Sequence, residues 1–281
     1  MFAVSGIIYV MEEKVLNSSP PAITINDILA SLQAIIAEGA RENDRAAYFA
    51  ALYYKVTAGV KDGIIKGRFE NGPRMERFDV IFASRYLDAL KAWRKGGECS
   101  GSWKIAFEST KKSSLLVLQQ LLLGMNAHIN LDLGIAAVEA SDGQLAAIQN
   151  DFDTINTIIS SLTYQVLNEI DQVSPLLSLL GLHADNQTSV LIQFSIDNAR
   201  DGAWCFAEDL ATKTGDNINV CIAQRDQTIT KLAGGLIYNK GVIRFTLWLI
   251  HLFEWSNPAK IIKVLYGSVK QKIVVANLKT L

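Results

Sequence analysis

Apolar residues recur every three or four positions over most of the chain, the period of helices that turn one face to a core. Ile25, Ile28, Leu29, Leu32, Ile35 and Ile36 make one such face, with Thr24 or Asn26 placed to cap its start and Gly39 to close it. Phe49, Leu52, Tyr53, Val56, Val60 and Ile64 predict a second helix, opened by Asn43 or Asp44 and broken after Asn71-Gly72-Pro73. A third, from about 74 to 94, carries Phe78, Ile81, Phe82, Leu87, Leu90 and Trp93. The glycines and serines of 95–103 then predict a loop.

From Ser113 or Ser114 an apolar helix is expected to run to about Ala140, followed by one from about 144 to 170 that Pro175 brings to an end. A Leu-rich turn and a polar loop through His183-Ala184-Asp185-Asn186 lead to a helix capped by Thr188 and ending near Ala211. A weaker helix reaches Gly234-Gly235. An aromatic helix over 242–255 and a lysine-bearing one from Pro258 complete the chain, after a lead-in over 1–22. Alternation with period two is scarce and no hairpin dipeptide joins β-branched runs. The expectation is one all-α domain of 281 residues, with about nine helices around a central buried one.

Composition agrees with that architecture and narrows the function. The chain is 49% hydrophobic and 20% charged, with a formal charge of −1 and no long run of one sign, so nucleic acid is not an expected partner. Cys99, Cys205 and Cys221 form neither a CxxC pair nor a disulfide framework, which points to a reducing, cytoplasmic setting. The first residues lack the basic start of a signal peptide. The most apolar windows, 115–123 and 245–253, are shorter than the roughly 20 residues of a membrane span, so no transmembrane segment is expected. P-loops, Gly-rich dinucleotide turns, serine elbows and HExxH are absent.

The candidate chemistry lies in the expected central helix, in Leu121 to Gly134. Asn126, His128, Asn130 and Asp132 occupy every second position there, and His128 is one of only three histidines. As a strand these four would share a face. As a helix, which the flanks favour, they divide into Asn126 with Asn130 and His128 with Asp132, each pair at i,i+4 and on roughly opposite sides. Polar stripes on both sides of an apolar helix require hydrogen-bond partners from its neighbours, because an unpaired buried group costs roughly 1–3 kcal/mol.

These residues, Gly124 to Gly134 as GMNAHINLDLG, stand with YFAALYYKVT (48–57), FASRYLDAL (82–90) and DNARDGAWCFAEDLA (197–211). Together they resemble an uncharacterised family of bacterial helical proteins classed as a domain of unknown function. The resemblance covers about 44 to 210 and implies an all-α fold. It carries no catalytic roles.

His128 and Asp132 are accordingly the candidate catalytic pair: the carboxylate can orient the imidazole as a general base, or both can ligate a divalent metal. Asp153, Asp197 and Asp201 are the candidate further ligands, with Glu208 on the same stripe, although the Glu-x-x-His pairs of di-iron bundles are missing. Asn126, Asn130, Arg85, Arg200, Trp204 and Tyr53 are the candidate ligand-binding residues. Arg45, Arg85 and Arg200 sit among aromatics, and internal pairing with Asp132, Asp153 or Asp197 is favoured over ligand binding. His183 and His251 read as a solvated and a core residue; His251 would be the second imidazole if haem bound. Asp151, Asp153, Asp197 and Asp201 make only a weak case for the magnesium of an isoprenoid cyclase. Phe245, Trp248, Phe253 and Trp255 read as core, and Lys260, Lys263, Lys270 and Lys272 as a solvated face or one set against an anionic membrane. Three functions remain open: an enzyme acting on a small, largely apolar or amphipathic molecule, a non-catalytic binder of an apolar ligand or haem, and a structural or interaction module.

Overall fold

The computed structural model describes residues 24–183 and 194–267, and these form helices with no strand among them. Helix α1, Ile25–Glu42, begins at a reciprocal cap in which the Thr24 hydroxyl accepts from the Asp27 amide and Asp27 accepts from the Thr24 amide. Gly39 does not end it. Asn43, in the left-handed region at φ 57°, does so, and its N–H returns to the Gly39 carbonyl. Gly39 is needed for a different reason: a Cβ there would stand 2.3 Å from that of Ala47, where α2, Ala47–Ile65, crosses α1.

Helix α3 spans Gly72–Arg94 behind an Asn71 cap. The expected loop over 95–103 is cut short, because the Ser100 hydroxyl caps a further helix, α4, at Gly101–Ser109. That helix delivers the fully buried Trp103 to the centre of the molecule.

The central helix, α5, runs Val117–Ala140, with a π-turn at His128–Asp132 where the Leu133 amide bonds to the His128 carbonyl. It is longer and more apolar than the windows of its sequence suggested, enough to cross a bilayer on length and composition, yet 83% of its most apolar window is buried inside the fold. It starts at Leu116, not at the serines before it. The Val117 amide points at the Glu254 carboxylate, 3.1 and 3.2 Å from its two oxygens, so an acid from the C-terminal part of the chain satisfies the positive end of the helix. Burial pushes Glu254 up to about 7 while its bonds to Ser174 and Val117 pull the other way.

A 3₁₀ turn, Leu145–Ile148, opens α6, Gln149–Val173, and a second, Leu177–His183, follows Pro175. Helix α7 is Ile196–Ala211, capped by Ser195; Thr188 and Ala184 to Asn186 lie outside the described residues, as do 1–22 and Lys270 and Lys272. Helix α8, Asp216–Ile237, continues through Gly234-Gly235 instead of stopping there. Helix α9 is Gly241–Phe253, and α10, 258–267, starts behind Asn257, whose side chain accepts from the Lys260 amide.

Helices α2, α3, α4, α7 and α8 surround α5. Close approach is built into α5 at two glycines: a Cβ at 124 would meet the Phe49 ring at 2.5 Å, and one at 134 would meet Phe206 at 2.6 Å and the Ala203 carbonyl at 2.8 Å. The aromatic residues of α9 depart from the expected core. Ile243, Leu247 and Ile250 are buried, but Phe245, Trp248 and Phe253 are more than half exposed, as is Val242, and Trp255 just past the helix is 37% exposed.

Candidate functional site

The π-turn decides which residues of α5 face inward. Leu118, Leu122, Met125 and Ile129 follow one another at helical spacing along a large cavity, and a regular helix of 3.6 residues per turn would continue that face between Asp132 and Leu133. The extra residue of the turn gives the place to Leu133, and Asp132 swings behind His128, off the cavity wall. The two residues serve different surroundings although they are four apart.

Asp132 is surrounded by donors. Its Oδ2 accepts from the Trp103 indole at 2.7 Å, its Oδ1 from Arg85 Nε at 3.1 Å, and His128 Nδ1 stands 3.2 Å from Oδ2. Since the carboxylate is an acceptor towards all three, the network assigns the proton to Nδ1 and leaves the Nε2 lone pair of His128 open. No hydrogen-bond partner meets Nε2, which is buried in the wall of the cavity. The ring is fixed by stacking on Phe82, with centroids 3.6 Å apart and planes within 5°, and by the edge of Tyr53 at 4.5 Å. Burial holds the imidazole below its ordinary range, against the opposing pull of Asp132, so the neutral base is the form present at pH 7.

The cavity has a volume of about 340 Å³ and lies between α2, α3, α5, α6 and the start of α7. Its wall is mostly Leu, Ile, Val, Met and Phe, and it includes Leu167, which is 46% exposed. Four charged or titratable side chains interrupt this apolar surface besides Tyr53: His128, Lys55, Asp79 and Arg200. Lys55 is paired with Glu169 in a buried ion pair. Asp79 is 4% exposed and its Oδ2 has no partner; burial, with Glu76 nearby, pushes it up to about 8, so it stands in the wall as a neutral acid at pH 7. The Tyr53 hydroxyl lies beside that of Thr57 and is influenced by both Asp79 and Asp132.

Arg200, 3% exposed, donates through Nη2 to the Phe152 carbonyl and lies over the Phe152 ring, 4.4 Å from its centroid. Among the described residues no carboxylate comes within 4 Å of it, and its Nε has no partner. Burial lowers it to about 10, while Asp153, Asp197 and Asp201 raise it from a distance.

The sequence candidates therefore separate into groups. His128, Tyr53 and Arg200 line the cavity, and Asp132 and Arg85 stand behind His128. Asn126 and Asn130 do not line it: Asn126 donates to the Ile229 carbonyl and accepts from Asn130, whose own carbonyl takes Arg225, so this stripe ties α5 to α8. Trp204 lies against Phe152 and donates to Glu208, away from the cavity wall. Asp153, Asp197 and Asp201 are exposed, Asp151 is held by Arg74, and no three His, Cys, Asp or Glu side chains gather as a metal site among the described residues. His251 on α9 is likewise not part of the cavity wall. Arg45 donates to the Thr110 carbonyl, at 3.5 Å, and lies beside Tyr48, outside the cavity wall.

Lys55, Asp79, Trp103 and Glu169 escaped the sequence reading. Asp79 carried a signal, a lone carboxylate between Phe78 and Val80 on the apolar side of its helix, as did Lys55 between Tyr54 and Val56. For Trp103 no local signal existed, because its partner lies 29 positions away.

No curated protein and no solved structure matches the chain. A family described as a family of unknown function, DUF5995, matches residues 25–239, which include every residue of the His128 site and of the cavity wall. The chain belongs to that family.

Proposed function

We propose that the protein is an enzyme in which His128 acts as a general base on a small, largely apolar molecule held in the cavity. The observation that carries this reading is the unpartnered Nε2 of His128: a buried imidazole in the wall of an apolar cavity, oriented through Nδ1 by a carboxylate that is itself anchored by Trp103 and Arg85, keeps a lone pair that no other side chain uses. Most buried side-chain nitrogens that serve packing alone have a hydrogen-bond partner. The proton taken from substrate would turn the ring into an imidazolium beside Asp132, which stabilises it. Asp79, neutral in the same wall, is suited to donate a hydrogen bond to an oxygen on which charge develops. The geometry favours this base form over a metal-bound one, since no third metal-ligating side chain joins the pair among the described residues.

The test is solvent-deuterium exchange. A panel of small apolar ketones and aldehydes is incubated with the protein in D2O, and loss of α-proton signal is followed by NMR. Exchange by the native protein and none by a folded His128→Gln protein is the expected result, with an acid limb below the ordinary histidine range. Exchange that persists in His128→Gln overturns the assignment of the base.

The second reading is a non-catalytic binder of an apolar ligand, which the size and apolar wall of the cavity support. Tight binding of such a ligand with no proton exchange in any member of the panel would select it.

A further inference from the structure

The charges in the cavity wall do not balance. Lys55 has Glu169 as its counter-ion, His128 is neutral, and Asp79 holds its proton at pH 7. That leaves Arg200, whose guanidinium is buried with one carbonyl and one aromatic face for company. The three aspartates that influence it, at 153, 197 and 201, are exposed and none forms an ion pair with it. An arginine buried this deeply normally has a carboxylate partner or a bound anion. The Nε–H without a partner is the donor that such an anion would use.

We infer that the cavity binds an amphipathic monoanion, an alkyl or aryl carboxylate, whose headgroup is held by Arg200 and whose apolar body fills the space between α2, α3, α5 and α6. This deepens the enzyme reading and rests on the same cavity. One unmatched cation among apolar walls suits a single negative charge; a phosphate dianion would leave a charge uncompensated. At the roughly 30 Å³ that a water-sized group occupies, the cavity holds about eleven non-hydrogen atoms, between octanoate and decanoate in size.

Isothermal titration of the full chain with octanoate, decanoate, 1-decanol, decylamine and monodecyl phosphate tests the inference. Decanoate is expected to bind about ten- to a hundred-fold more tightly than 1-decanol, the range of a hydrogen bond to a charged group. Arg200→Gln is expected to erase that preference while leaving 1-decanol binding within about twofold. Equal affinity of acid and alcohol for the native protein, or stronger binding of the amine or of the phosphate, overturns it. If Arg200→Gln does not fold, Arg200→Lys provides the comparison, and the native acid-to-alcohol ratio decides by itself. His128→Gln separates the two proposals: decanoate binding kept in that protein with no proton exchange in the native one means that the site binds acids and the catalytic reading has failed.

Discussion

Two apolar helices of this protein occupy opposite environments. Helix α5 carries Asn126, His128, Asn130 and Asp132, all buried, while α9, with a more uniformly apolar sequence, leaves Val242, Phe245, Trp248, Leu252 and Phe253 more than half exposed. Polar content is therefore a poor guide to depth. What buries α5 is the supply of partners: Ile229 and Arg225 from α8 on one side, Trp103 and Arg85 from α4 and α3 on the other. Of these four side chains, only His128, in the cavity wall, keeps a buried polar atom without a partner.

The contrast breaks most sharply at Asp132. Asp132→Ala leaves Trp103, Arg85 and His128 without their common acceptor and should cost about 3–5 kcal/mol in urea unfolding, as loss of one partner of a buried pair does. Gly134→Val comes next. Its side chain has to enter space held by Phe206 and the Ala203 backbone, so α5 and α7 must separate, at about 1–3 kcal/mol in the same assay.

Asp79 sharpens the comparison in the opposite sense, because it is a buried polar group lacking a partner for Oδ2. Its folded value of about 8 lies above the unfolded 3.8, so between those values the native state retains a proton that the unfolded chain has released. Stability must then fall as pH rises through that window. Asp79→Asn should match the native protein at pH 4 and exceed it at pH 8 by about 1–3 kcal/mol, read as a higher Tm. Glu254, raised to about 7 from 4.5, adds a change of the same sign over a narrower window. His128 works oppositely, its lowered value removing stability as pH falls through the ordinary histidine range. The smallest effect belongs to α9: Phe245→Gln, on the exposed face, should change stability by less than about 1 kcal/mol.

Local patterns in the sequence carried the helices and the cap of the first of them. Thr24 was one of two residues that read as the cap of α1, Asn71 read as a break and proved to be the cap of α3, and the i,i+4 geometry of His128 with Asp132 needed only the helical period. The π-turn was not legible, since nothing in His128 to Asp132 distinguishes a five-residue closure from a four-residue one. Arg200 shows the other limit. Its neighbours in sequence are aspartates, which suggested an internal pair, but on the folded helix they point to solvent while the guanidinium points inward. The faces of α9 failed for a related reason: aromatic spacing reports that a helix has an apolar side, and only the arrangement of the whole chain decides whether anything lies against it.

The contact between Glu254 and the start of α5 bears on where the protein can be cut. Sequence shared with the family stops at 239, yet the acceptor for the Val117 amide lies 15 residues beyond it, and Ile243, Leu247, Ile250, Ile261, Ile262 and Leu265 join the same core as Leu116 and Leu121. The matched segment is thus smaller than the segment that folds. A gene trimmed to the shared segment would encode a central helix missing the acid at its head and a core open along one wall, and expression of this protein for any of the measurements above should carry the chain through α10.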